Sequence, residues 1–280
     1  MRESRIIYMP RSVKRRRGSS SKKGLFTFLV VGIVFACVAG GIYFARIRRL
    51  QVTKISVEGV SSLSQDEIAA RIRSMLDGKY FGLVPRTNIF LIRSSRIAKE
   101  LIAAVPMIRS IRITKTIPDR VTVSVVERTL WAIACNDLNI SPKKPVQCAY
   151  IDDTGFAYES SPLSVGSLIT RITTDMAEQH IPSAFFDGAF VADAGMMKQI
   201  VEHATSARVI GYDFSSALPR EMKVKTAEGF TVIFPRGAIL ADTEKVLQRV
   251  FEQEIKEKRP QLDYIDVRFG NKVFFKFRGI

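Results

Sequence analysis

IRSIRITKTIPDRVTVSVVER, residues Ile108–Arg128, decides how the segment around it folds. Ile111 and Ile113 alternate with Arg112 and Thr114, Pro118-Asp119-Arg120 turns the chain, and Val121, Val123 and Val125 alternate with Thr122 and Ser124. Successive side chains on a strand point to opposite faces, so this pattern predicts an antiparallel hairpin with one apolar face to bury. Upstream, Val52–Val57 reads as a strand stopped by Glu58-Gly59, where glycine tolerates a positive φ. Ser64 and Glu67 form a capping box ahead of Ile68, Ile72, Met75 and Leu76 at helical spacing, and this helix ends near Gly78. After an aromatic connector, KYFGLVPRTN, a second helical pattern starts at Ser94 or Ser95, runs through Ile97, Leu101, Ile102 and Val105, and stops at Pro106. The order is β-α-α-β-β, two helices on one face of a three-stranded sheet.

Further upstream, Gly24–Ala45 (GLFTFLVVGIVFACVAGGIYFA) contains no charged side chain. At about 1.5 Å per residue it makes a helix of roughly 33 Å, the thickness of a hydrocarbon core. Cys37-Val38-Ala39 could pass for a signal-peptide cut site, but Ile42-Tyr43-Phe44-Ala45 continues the apolar run, which favours a retained single span. Arg2, Arg5, Arg11, Lys14–Arg17, Lys22 and Lys23 precede it against the lone acid Glu3, and only Arg46, Arg48 and Arg49 follow closely. The positive-inside bias therefore predicts a cytoplasmic basic tail (1–23), a transmembrane helix (24–45) and an extracytoplasmic remainder, anchored in the inner (plasma) membrane. The net charge of +16 follows this division. Residues 1–50 hold 12 basic groups and one acid, leaving 31 against 26. A basic tail beside a span suits anionic lipid heads, and without interleaved aromatics it gives no reason to invoke nucleic acid.

Downstream, two cysteines of the exported part, Cys135 and Cys148, bracket the polar loop NDLNISPKKPVQ. Either a disulfide pins the base of that loop or both thiols are free. Asp152 and Asp153 precede Gly155 as turn acids, not a catalytic pair. The stretch 160–210 carries little pattern beyond a helix over Met196–Ala204, and Phe185, Phe186 and Phe190 read as core. Met222–Thr226 and Phe230–Phe234 form a second hairpin across Glu228-Gly229. Asp242 begins a helix with Val246, Leu247, Val250, Phe251 and Ile255 on its apolar stripe, and Pro260 lies just past its end. Tyr264–Phe269, the turn Gly270-Asn271 and Lys272–Phe277 form a closing hairpin. The fold class is α+β: one transmembrane helix, a β-α-α-β-β module over 46–127, and over 128–280 a mixed, mainly antiparallel β-domain with flanking helices.

The segments SVEGVSSLSQDEI and IRSIRITKTIPDRVTVSVVER, with Pro106 closing the second helix and the arm Pro118–Arg128 in the pattern P-x-x-V-x-V-x-V-x-E-R, resemble the POTRA domain of FtsQ/DivIB cell-division proteins. Residues 128–280 resemble that family's β-domain, through the I-D-x-x-G turn at Ile151–Gly155 and the closing motif Ile265-Asp266-Val267-Arg268-Phe269. The Cys135–Cys148 loop departs from the pattern. The resemblance implies a bitopic scaffold of the divisome at the septum. It implies that the end of the β-domain recruits FtsB/DivIC-like and FtsL-like bitopic proteins, and points to Arg268, Phe269, Lys272, Val273, Phe274, Phe275, Lys276 and Phe277. Alternatively, Phe269, Phe275 and Phe277 pack in the core while Lys276 and Arg278 face water.

The residues themselves offer no phosphate loop, nucleophile elbow or H-E-x-x-H, and His180 and His203 stand in no metal-ligand spacing. No enzyme, cofactor, metal or small-molecule substrate is therefore expected. Exported sheet modules without chemistry bind other proteins, through edges whose free N–H and C=O groups accept a strand. The other reading, a POTRA-containing component of envelope protein transport or assembly, would want repeated POTRA modules or a strand-rich barrel.

Overall fold

A computed structural model describes residues 21–137, 146–163, 168–175, 180–237, 242–270 and 272–279. The basic tail through Ser20, most of the loop between the two cysteines and the turn residue Asn271 lie outside the described residues. The chain divides into two compact units, Met1–Ser56 with Ala70–Arg93 and Thr114–Thr122, and Val57–Ala69 with Ser94–Ile113 and Val123–Ile280.

The expected span is α1 (Ser21–Ala45), whose apolar stretch Leu25–Ala45 has no residue buried in protein, as suits a lipid-facing helix. Then come β1 (Lys54–Glu58), α2 (Gln65–Leu76), β2 (Lys79–Tyr80), β3 (Val84–Pro85), α3 (Ser94–Ala104), β4 (Ile108–Thr116) and β5 (Arg120–Glu127). Sheet order is β1-β5-β4, which puts β4 at an edge. Alternation decides which faces are buried: Val121, Val123 and Val125 are buried while the residues between them are not. The helices bury Ile68, Ile72 and Leu76, and Ile97 and Leu101. Ser64 Oγ accepts from Glu67 N at 3.4 Å, one half of the expected capping box.

Two local expectations shift. The first strand starts at Lys54 rather than Val52, because Val52 N donates to Thr87 O and Gln51 bridges Asn88, tying these residues to the connector instead of the sheet. That connector is itself a small hairpin of β2 and β3.

Glu127 and Arg128 end the first module. The Glu127 carboxylate accepts from Ser61 N (2.9 Å), Ser61 Oγ (2.8 Å), Ser62 N (3.0 and 3.1 Å) and Leu63 N (3.1 Å), filling a nest of successive amides. Gly59 sits beside this nest at φ +81°, where a Cβ would meet Val125 O at 2.3 Å. Arg128 points the other way. Its Nε donates to Pro106 O, its Nη1 to Asp152 Oδ2 at 2.6 Å, and its guanidinium lies 4.0 Å from the Phe156 ring centroid. Fully buried Asp152 takes further hydrogen bonds from Thr154 N, Thr154 Oγ1 and Phe156 N. It is a turn acid, and also half of a buried ion pair that binds the segment just after β5 to the I-D-x-x-G turn.

Among the described residues the second sheet has ten strands: β6 (Leu130–Cys135), β7 (Cys148–Asp152), β8 (Phe156–Ser161), β9 (Arg171–Thr174), β10 (Ser183–Ala184), β11 (Val209–Phe214), β12 (Glu221–Thr226), β13 (Thr231–Pro235), β14 (Leu262–Phe269) and β15 (Lys272–Phe277). Their order is β10-β8-β7-β6-β9-β11-β12-β13-β14-β15, mainly antiparallel, with parallel joins at β6/β9, β9/β11 and β13/β14. Cys135 and Cys148 pair directly across β6 and β7 and are disulfide-bonded.

Two helices bridge the later parallel joins and pack on each other: α4 (Gly188–Thr205) and α5 (Thr243–Val250). α4 begins eight residues earlier than the sequence suggests, because Asp187 caps it by accepting Phe190 N at 2.7 Å and Phe190 and Ala194 extend its buried face. α5 runs on as a π-helical turn, Phe251–Ile255, and then a 3₁₀ segment, Lys256–Gln261. Pro260 therefore lies inside a helical turn rather than beyond it. Phe186 and Phe190 stack at 4.1 Å and meet Phe214 edge-on, and Tyr212 Oη donates to Ala194 O. The expected core role of these phenylalanines holds.

Burial alone would raise the Glu127 carboxyl, but the bonds from Leu63, Ser61 and Ser62 hold it down, from an ordinary 4.5 to about 2. A depressed carboxyl stabilises the fold fully above about pH 4.5 and loses that contribution as pH falls through about 2. Glu127→Gln is expected to flatten, without abolishing, the fall in stability between these pH values, as measured by urea unfolding across pH 2–6.

Candidate partner-binding edge

β15 terminates the ten-stranded sheet, so one side of it hydrogen-bonds β14 and the other faces away from the sheet. The pairing runs Leu262↔Phe277, Tyr264↔Lys276, Ile265↔Phe275, Asp266↔Phe274 and Phe269↔Lys272, with irregularities after Leu262 and after Asp266. Such bulges re-aim side chains near a sheet rim. Period-two alternation divides the strand. Val273, Phe275 and Phe277 pack against the main core, and Lys272, Phe274 and Lys276 are exposed.

The exposed face carries an aromatic pair. Phe269 and Phe274 stand edge to face at 5.3 Å and each leaves about half of its surface in water, 54% and 52%. Arg268 flanks them, 5.5 Å from the Phe269 ring centroid. It is held from below: Nε donates to Asp266 Oδ1 at 2.9 Å, Nη2 to Asp266 Oδ2 at 2.6 Å, and Nη1 pairs with Glu221 on β12. Burial alone would raise the Asp266 carboxyl, but hydrogen bonds from the Arg268 side chain and backbone hold it below the usual range; the same hydrogen bonding raises the guanidinium further. The bidentate geometry fixes Arg268 instead of leaving it a loose surface charge.

All eight residues singled out in the sequence lie on this one hairpin, on two different faces. The sequence reasoning did not identify Asp266 and Glu221 as the groups that orient Arg268. Asp266 was findable, since residues two apart on a strand share a face. Glu221 becomes a neighbour only through the β12-β13-β14 order.

At the opposite end, β10 contributes only two residues over β8, pairing Ala157 and Phe156. Among the described residues no group of His, Cys, Asp and Glu could hold a metal ion. His203 lies 3.7 Å from Glu244 on the solvent side.

These features define a class: an apolar N-terminal helix, a β-α-α-β-β module and a large mixed sheet with an open aromatic edge. Residues 50–128 match the family model of the POTRA domain, FtsQ-type. No curated protein matches the chain. The chain thus carries an FtsQ-type POTRA domain, and the resemblance to the FtsQ/DivIB family drawn from Ile108–Arg128 and the segments before it is borne out.

Arg268→Met would leave Asp266, 5% exposed, without its guanidinium. The expected loss is roughly 1–3 kcal/mol, below that of a fully buried pair because Arg268 is partly solvated. Chemical denaturation of the variant measures it.

Proposed function

We propose that the protein is a bitopic, non-enzymatic scaffold of the bacterial divisome, with its N-terminus cytoplasmic and its bulk extracytoplasmic at the septum. The observation that carries the reading is the FtsQ-type POTRA domain directly following an apolar helix long enough to span a membrane. In this reading the span anchors the molecule, the POTRA module stands next to the membrane, and β15 receives an extracytoplasmic strand from an FtsB/DivIC-like or FtsL-like partner. A partner strand adds to the sheet through main-chain hydrogen bonds. Phe269 and Phe274 supply apolar contact on the exposed face, and Lys272 and Lys276 favour acidic side chains opposite them.

Phe274→Asp alters the exposed face and leaves the core untouched, whereas Phe275→Asp puts a charge against the core. The first variant is expected to keep its melting temperature and to weaken capture of the partner subcomplex by about 2 kcal/mol, roughly thirtyfold. The second is expected to unfold the hairpin. Native capture by Phe274→Asp would remove this edge from the reading. For the cellular role, a fluorescent fusion at the N-terminus is expected at the constriction site, with filamentation on depletion. Uniform envelope fluorescence and normal division would overturn the scaffold role.

A further inference from the structure

The connector Gly78–Arg93 is strapped to the end of α1. Asn88, 2% exposed, donates from Nδ2 to Ala45 O at 3.0 Å and so caps the helix. Arg46 Nε donates to Leu83 O at 2.9 Å, Ile89 N to Leu50 O at 2.9 Å, and the Phe44 and Phe90 rings lie 6.2 Å apart. Between helix and connector runs a groove of about 430 Å³, lined by Val38, Gly41, Ile42 and Ala45 from α1 and by Tyr80, Val84, Leu91 and Arg93 from the connector.

Depth follows from helical rise. Val38 lies seven residues before Ala45, roughly 10 Å along the axis. The apolar stretch Leu25–Ala45 is 21 residues, about 31 Å, against a hydrocarbon core of about 30 Å, so α1 cannot lift its last two turns into water without leaving the bilayer underspanned. Connector residues sharing a groove with Val38 and Gly41 therefore lie at lipid depth. Their chemistry agrees. Phe81 is 98% exposed and held at φ +49°, an uncommon conformation for a bulky residue, at the tip of the β2–β3 turn; Leu83, Phe90 and Leu91 are exposed as well. Arg46, Arg48, Arg49, Lys79, Arg86 and Arg93, all exposed, lie in the same two segments, just past the end of α1 and in the connector, and supply positive charge suited to lipid phosphates.

We propose that residues 79–93 form a second, interfacial membrane anchor. Phe81, Leu83, Phe90 and Leu91 enter the acyl region of the leaflet that α1 leaves, a phospholipid chain occupies the groove, Arg86 sits at the phosphate level, and Arg93 snorkels toward that level from the groove wall. This rests on the reading of α1 as a membrane span. The anchor holds the connector to the bilayer at a second point and so restricts rotation of the membrane-proximal unit about the α1 axis.

The test uses the full chain with Cys37→Ala, reconstituted in vesicles of phosphatidylethanolamine and phosphatidylglycerol, with bimane attached to single cysteines. Leu83→Cys reports the connector, Val34→Cys the span, and Gln199→Cys an exposed control on α4. With 5-doxyl lipid, emission from residue 83 is expected to be lost to nearly the extent seen at residue 34, and emission from residue 199 to be retained. Adding Phe81→Asp and Phe90→Asp is expected to restore emission at residue 83 and leave residue 34 quenched. Quenching at 83 no greater than at 199, with 34 quenched, overturns the anchor alone. Loss of quenching at 34 overturns the span reading and the anchor with it.

Discussion

The buried pair of Arg128 and Asp152 is the constraint on which the arrangement around the end of the first module depends. A carboxylate with no exposure is tolerable only when its lone pairs are filled, and Asp152 receives a guanidinium, a hydroxyl and two amides. Arg128 reaches Asp152 from beside Glu127, which is itself fixed on the amides of Ser61–Leu63. Adjacent residues on an extended chain face opposite ways, so one dipeptide grips both the turn after β1 and the turn after β7. Gly155 completes the second grip at φ +84°, where a Cβ would come within 2.4 Å of Phe186 O. The motif letters E-R and I-D-x-x-G are thus the two halves of one electrostatic fastening.

How much of this was legible in the sequence depended on whether a residue's environment is set locally. Hairpins such as Met222–Phe234 declare themselves, because alternation and a Gly229 turn are properties of adjacent residues. Helices with a polar side declare themselves too, as α2 and α3 do. What stayed dark is the stretch where long-range pairing decides. β9 is four residues, Arg171–Thr174, and is a strand only because β6 and β11 flank it. The start of α4, Gly188–Gly195, contains two glycines that weaken any helical propensity, and it is held by the Asp187 cap and by Phe190 packing on Phe186. The π and 3₁₀ segments after α5 were hidden for the same reason, since tertiary packing of Phe251 and Ile255 overrides local geometry. At the candidate edge the strand and its aromatics were readable; the division of its side chains between core and surface needed the register with β14.

The β15 edge also carries features that discourage indiscriminate pairing. A long flat apolar edge would pair with any extended chain, but β15 is six residues, is irregular in register, and displays Lys272 and Lys276 on its free face. Its apolar side chains Val273, Phe275 and Phe277 are already spent on the core. What remains for a visitor is one aromatic pair between cations, with Arg268 locked in place by Asp266.

The position of β9 has a consequence for how the chain becomes a folded molecule. The strands from β6 to β8 and those from β11 to β13 can zip up from neighbouring hairpins, but among the described residues the sheet joins them only through this four-residue seam, by two parallel pairings that span long intervals of sequence. Contacts of that kind form late, because chain ends distant in sequence must meet before anything rewards the meeting. Until β9 slots in, β6 and β11 each expose a hydrogen-bonding rim and an apolar face that later covers Ile172. A chain still lacking β9 would therefore present two unfinished half-sheets with adhesive rims, so this short seam, more than the open β15 edge, is the part of the sheet most exposed to mispairing.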